Sequence, residues 1–161
     1  MTKRGRIILI SLVAVLVLSS TLFAQQRGPA RNRDQTQRIY MDILRAERYN
    51  PQVNRDGDIE FKVGRDDYTL SIDRSNPQFF EFYTVINYRD NRRIADQQII
   101  EAANYANTRV DVAKVYFNLD RRLVYFNIQT FLAEPDDLKP IFSKFMSAIR
   151  DSQAAFNSRL R

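Results

Sequence analysis

Asp58-Ile59-Glu60-Phe61-Lys62-Val63-Gly64-Arg65-Asp66-Asp67-Tyr68-Thr69-Leu70-Ser71-Ile72 contains two runs in which every second residue is apolar. Ile59, Phe61 and Val63 alternate with Glu60 and Lys62; Tyr68, Leu70 and Ile72 alternate with Thr69 and Ser71. A period of two belongs to a strand with one face buried and one wet. Gly64-Arg65-Asp66-Asp67 separates the runs and carries a glycine free to take positive φ, so the pair is expected to form a hairpin. Ser75-Asn76-Pro77 then leads into Phe79 to Tyr88, a third strand that completes a meander.

On either side of this meander the apolar period changes to that of helices. Asp34 to Arg48 places Ile39, Ile43, Leu44 and Ala46 on one face, and Asn50-Pro51 is expected to end that helix. Ala95 to Asn107 has a shallow face of Ile99, Ala102, Ala103 and Ala106. Val110 to Asn118 and Leu123 to Phe131 read as strands around the turn Leu119 to Arg122. The apolar parity shifts between Val112 and Val115, which predicts a bulge there or a paired region that begins only after Val112. Glu134-Pro135-Asp136-Asp137 suits a helix start, and Leu138, Ile141, Phe142, Phe145, Ile149, Phe156 and Leu160 recur at helical spacing after it. The expected class is α+β, an antiparallel five-stranded sheet in the order helix, three strands, helix, two strands, helix, with the helices packed on the sheet.

The first residues have a different character. Lys3, Arg4 and Arg6 precede the apolar run Ile7 to Leu18, and Ser19-Ser20-Thr21-Leu22-Phe23-Ala24 is a small-residue exit toward cleavage, the pattern of a signal peptide over residues 1–24. Cleavage after Ala24 would give a periplasmic or secreted protein; an uncleaved segment would anchor it in the inner membrane. The absence of cysteine excludes a lipid-attachment site. Residues 25–36 hold Arg27, Arg31 and Arg33 with Gly28 and Pro29 and no apolar period, and are expected to be a disordered polar leader. One domain over residues 37–161 remains. Without the first 24 residues the chain has 22 basic and 19 acidic residues, a net charge of only +3.

Catalytic chemistry is poorly provided for. With no histidine and no cysteine, the usual proton shuttle near neutrality, thiol nucleophile and zinc ligands are missing. Four glycines, at positions 5, 28, 57 and 64, spell neither a phosphate-cradling loop nor a dinucleotide fingerprint. No catalytic residue, metal ligand or cofactor is therefore expected. Asp56, Asp58, Glu60, Asp66 and Asp67 form the densest acidic group, and a carboxylate-dependent or metal-dependent envelope hydrolase is the alternative they leave open. Their spacing fails the calcium-loop pattern, because Gly57 falls between two aspartates, and it matches a turn. Basic residues interleave with aromatics in Lys114 to Phe117 and Arg121 to Phe126, yet Phe117 and Phe126 share the core parity, so a nucleic-acid partner is not expected.

The parity argument points instead to a binding surface. If Ile59, Phe61, Val63, Leu70, Ile72, Val115, Phe117, Val124, Phe126 and Ile128 face the core, then Lys62, Thr69, Ser71, Tyr83, Lys114, Tyr116, Tyr125 and Asn127 share the other face. Tyrosine offers a large contact area with a polar tip and little entropy to lose, which suits it to interfaces. Tyr83, Tyr116, Tyr125, Lys62 and Lys114 are the candidate binding residues. Ordinary cross-strand pairing, or cover by a helix or second subunit, would account for the same tyrosines.

Tyr49-Asn50-Pro51, Asp56-Gly57-Asp58-Ile59-Glu60-Phe61 and Phe79-Phe80, followed by Ala102-Ala103-Asn104, Lys114-Val115-Tyr116 and Phe131-Leu132, resemble the YbjN-like proteins over about Ile39 to Phe156. The resemblance implies a type III secretion chaperone-like fold, an antiparallel sheet with helices against it. It also implies the binding of polypeptide segments and a homodimer; some members carry the label of sensory transduction regulator. The chain departs from secretion chaperones in its export signal, since those work in the cytoplasm. What carries over is an exported, non-enzymatic peptide- or protein-binding module with an envelope protein or polypeptide segment as partner. Membrane contact is expected only through an uncleaved signal segment.

Overall fold

The structure is a computed structural model that describes residues 32–160. The signal segment and residues 25–31 of the expected leader lie outside the described residues. The rest of that leader is ordered: helix α1 spans Arg33–Ala46, and the Asn32 side chain accepts the Gln35 N–H at 2.9 Å as its cap. Thr36, expected in the leader, is buried in this helix. α1 ends before Asn50-Pro51. Arg48 adopts φ +66°, its N–H bonds the Arg45 carbonyl, and the Tyr49 N–H reaches back to Leu44, a Schellman closure with arginine in the position glycine prefers.

Six strands follow where five were expected. β1 (Gln52–Val53), β2 (Ile59–Val63), β3 (Asp66–Ile72) and β4 (Phe79–Asn87) form the meander; helix α2 (Asp96–Asn107) crosses over to β5 (Lys114–Asn118), which turns into β6 (Leu123–Phe131). A 3₁₀ turn (Pro135–Asp137) then opens α3 (Leu138–Arg159). The sheet order is β1-β2-β3-β4-β6-β5, antiparallel at every pairing. β1 is the extra strand; two residues are too short to show a period. Asp66 and Asp67, expected in the turn, pair with Val63 and Lys62, which leaves a two-residue loop with Gly64 at φ +63°. A glycine first in such a loop matches the twist of the strands it joins. β5 starts at Lys114, so Val110 and Val112 precede the paired region and no bulge is needed.

One parity of every long strand is buried against the helices. Ile59, Phe61, Tyr68, Leu70, Ile72, Phe80, Phe82, Val115, Val124, Phe126 and Ile128 join Tyr40, Leu44, Ile99, Ala102, Leu138, Phe142 and Phe156 in one core. Val63 and Phe117, of the same parity, pack at its margin. α3 lies over Phe126, whose ring meets Phe156 edge-on at 5.4 Å, while α1 sets Tyr40 against Phe80 at 5.6 Å. Both are edge-to-face contacts that add to area burial.

One buried side chain ties the connections of the sheet together, and each edge of the sheet is closed in its own way. Arg122, at φ +52° in the β5–β6 turn, buries its guanidinium, which donates to the carbonyls of Tyr88, Asn91 and Ile94 and pairs with Asp96. A single side chain thus ties the β4–α2 connection to the far hairpin. At the β5 edge, Asn107 of α2 uses its side-chain amide as a strand would: Nδ2 donates to the Val115 carbonyl at 2.9 Å and Oδ1 accepts the Val115 N–H at 2.7 Å. The opposite edge is the short β1, preceded by Pro51, which has no N–H to offer.

Candidate functional site

The acidic group around Asp56 is built into a turn. Asn54 Oδ1 accepts the N–H groups of Asp56 and Asp58, and its Nδ2 donates to Glu60 at 2.7 Å. Gly57 takes φ +82°, and the Arg33 guanidinium occupies the space a β-carbon would need. Arg33 also donates to the carbonyls of Ile72 and Asp56 and lies 3.6 Å from Asp58, which in turn accepts from Ser71. Asp67 is paired with Lys62 at 3.0 Å. No group of three potential metal ligands converges among the described residues. Of these carboxylates only Asp58 reaches α1, through Arg33; Glu60 and Asp67 are engaged by Asn54 and Lys62.

The other sheet face is organised differently. Tyr116 on β5 lies opposite Tyr125 on β6, which lies opposite Val85 on β4; one residue pair along, Tyr83 lies opposite Asn127, itself opposite Lys114. The Tyr116 and Tyr125 rings stack at 4.8 Å and are parallel within 2°, and Tyr83 meets Tyr125 at 6.1 Å. Three rings from three strands therefore form one continuous aromatic patch, with Lys114 beside it. Lys62 has the same parity but sits on β2 with its ammonium on Asp67, so the structure separates it from the tyrosines.

Sequence periodicity missed a second component. Glu81, two residues before Tyr83 on β4, accepts hydrogen bonds on one oxygen from Asn127 Nδ2 and Gln129 Nε2, both at 2.9 Å. That arrangement buries Asn127, expected on the wet face, to 5% exposure, although its parity is as expected. Beyond Glu81, Phe79 faces Phe131 with ring centroids 5.2 Å apart, and Phe131 is 66% exposed. The signal was present: Glu81 is the one charge in Phe79–Asn87 and shares parity with Tyr83.

All three helices contribute to the opposite, core side, and among the described residues none covers this face. Tyr116 is 45% and Val85 36% exposed. Where the tyrosines touch each other they lose water, and that desolvation, ahead of all else, raises the Tyr83 and Tyr116 phenols above their ordinary range. The Glu81 charge pushes both in the same direction. Both hydroxyls therefore stay protonated and able to donate.

With a six-stranded antiparallel sheet backed on one side by three helices, the architecture can be compared with solved structures. YbjN of E. coli, described as a candidate transcription regulator, superposes with a TM-score of 0.57 over 74% of this chain and 87% of that one, at 8% identity. The fold is YbjN-like. A chain of the HopA1–SchA chaperone–effector complex aligns over 74% of this chain and 96% of its own, at 12% identity and a TM-score of 0.49. No protein-family model and no curated protein sequence matches. The similarity to the YbjN-like fold thus rests on architecture, in agreement with the strand and helix order.

Proposed function

We propose that the chain is a non-enzymatic binding module of the bacterial cell envelope, chaperone-like or regulatory, that holds an extended polypeptide on its uncovered sheet face. The observation that carries this reading is the ring-to-ring contact of Tyr83, Tyr125 and Tyr116 on a face no described helix covers. Such a patch supplies apolar area and phenolic hydrogen bonds together. Adding a strand at the edge is the other common way to hold an extended peptide. Here Asn107 occupies one edge and Pro51 precedes the other, so the face is the better platform. A second copy of the chain docked face to face would use the same rings.

The basic and apolar start, Lys3 to Ala24, is what supports the envelope location. The mature chain is expected to begin at or near Gln25. Intact-mass measurement on protein from the native envelope reads this directly, and a full-length, membrane-embedded mass would refute it.

The face itself is tested by replacing Tyr83, Tyr116 and Tyr125 together with alanine. Truncating one anchoring tyrosine in an interface costs about 1 to 2 kcal/mol or more, so binding of partners identified by crosslinking should weaken roughly tenfold to several hundredfold. The core is untouched by these changes, and the variant should unfold cooperatively. A folded variant that binds the same partners with unchanged affinity would show the face to be wrong. Light scattering gives the subunit count.

A further inference from the structure

The uncovered face carries an anion without a counter-ion, and this indicates what it holds. Glu81 sits at the middle of the sheet on β4, and its two hydrogen bonds come from neutral amides, Asn127 and Gln129. No cation pairs with it among the described residues. Of the two lysines of this parity, Lys62 is committed to Asp67, and Lys114 stands on β5, two strands away, at the exposed edge. A half-buried carboxylate fixed by amides and left unneutralised is a preformed receptor for a donor of positive charge. The rings beside it have the same preference: the faces of Tyr83, Tyr125 and Tyr116 attract cations through their quadrupoles.

The face is also ordered along the strand. Phe79 with Phe131, then Glu81 with Gln129, then Tyr83 with Asn127, then Val85 with Tyr125 follow at every second residue, about 6.7 Å apart by strand geometry. An extended segment presents the side chains of one face at that same spacing. Building on the binding role proposed above, we infer that the face selects an extended polypeptide bearing an arginine between two apolar residues at alternate positions. The guanidinium pairs with Glu81 and stacks on the tyrosine patch. One apolar neighbour rests on Phe79 and Phe131, the other on the Tyr83 ring beside Asn127. Arginine fits better than lysine, since its planar fork can donate to a carboxylate while its face lies on a ring.

The test uses three acetylated, amidated heptapeptides, Ser-Leu-Ser-X-Ser-Leu-Ser, in which X is arginine, citrulline or glutamate. Citrulline keeps the shape of arginine and removes its charge. NMR titration of the folded protein should move the ring signals of Tyr83, Tyr116 and Tyr125, with the arginine peptide at least tenfold tighter than citrulline and glutamate weakest. Glu81→Gln, whose amide oxygen still accepts from Asn127 and Gln129, should keep the thermal unfolding midpoint and abolish the arginine preference. Lys114→Gln should strengthen arginine binding by removing a like charge from the face, whereas an anionic ligand would be weakened by it. Equal affinity for arginine and citrulline, a preference that survives Glu81→Gln, or no binding of the arginine peptide would each overturn the inference. If the peptides still bind through the tyrosines without charge preference, the binding face stands and only its selectivity is refuted. Shifts mapping elsewhere refute both. Self-association that protects the face and is insensitive to the arginine peptide makes a second copy the occupant and refutes the cationic segment.

Discussion

Adjacent residues of β6 have opposite fates. Phe126 is fully buried against Phe156, whereas Tyr125 lies on the uncovered face between Tyr83 and Tyr116. Phe126→Ala should cost about 3 to 5 kcal/mol, because a cavity is added to the lost transfer energy. Tyr125→Ala should cost far less. Denaturant titration of the two variants measures both, and equal losses would contradict the strand parity. This alternation was legible in the sequence, since Val124, Phe126 and Ile128 stand out against Leu123, Tyr125 and Asn127. Arg122 was not. A charged residue in a hairpin turn reads as solvated, and nothing local announces that its guanidinium will be buried under three carbonyls from another segment.

At the scale of elements, what the sequence conveyed well was whatever repeats. The three helices and the five longer strands each carry several turns or pleats of pattern, and all are found. β1 has only two residues and no period to read, and the limits of β3 and β5 were blurred because turn-forming aspartates and valines are compatible with more than one state. Contacts between elements were invisible for the same reason: Glu81, Asn127 and Gln129 belong to two strands whose register no local pattern records. The β4–α2 connection shows how much one such contact carries. Arg122→Lys keeps the charge but cannot donate in a fork to Tyr88, Asn91 and Ile94 while pairing with Asp96. Limited proteolysis should show faster cleavage within Arg89 to Ala95 in that variant, and the unfolding midpoint should fall. Unchanged protection would mean that the backbone of the loop holds itself.

For the molecule as a whole, the absence of histidine leaves no side chain with an ordinary pKa between those of carboxylates and phenols. Stability should therefore be nearly flat from about pH 6 to 9. The alkaline limit is set by tyrosine. Desolvation, chiefly, holds the Tyr40, Tyr68 and Tyr88 phenols above their ordinary value, and Asp137 adds to the effect at Tyr40. A raised folded-state pKa gives stability that is complete below the unfolded value near 10 and is lost as pH climbs from there toward the folded value. Urea midpoints should therefore drop between about pH 10 and 11.5. Tyr40 Oη is buried with no hydrogen-bond partner among the described residues, so Tyr40→Phe should be neutral or stabilising by up to about 1 kcal/mol at pH 7 and should lessen the alkaline loss. A midpoint unchanged from pH 9 to 11.5 would refute the assignment.

The amide of Asn107 on Val115 bears on something other than folding energy. A five-residue strand with bare N–H and C=O groups is a template on which another chain can crystallise its own backbone, and so on without limit. One side chain, held at the end of a helix, stops that growth after a single residue. The colloidal behaviour of concentrated copies should therefore be more sensitive to this amide than its two hydrogen bonds within one copy would suggest.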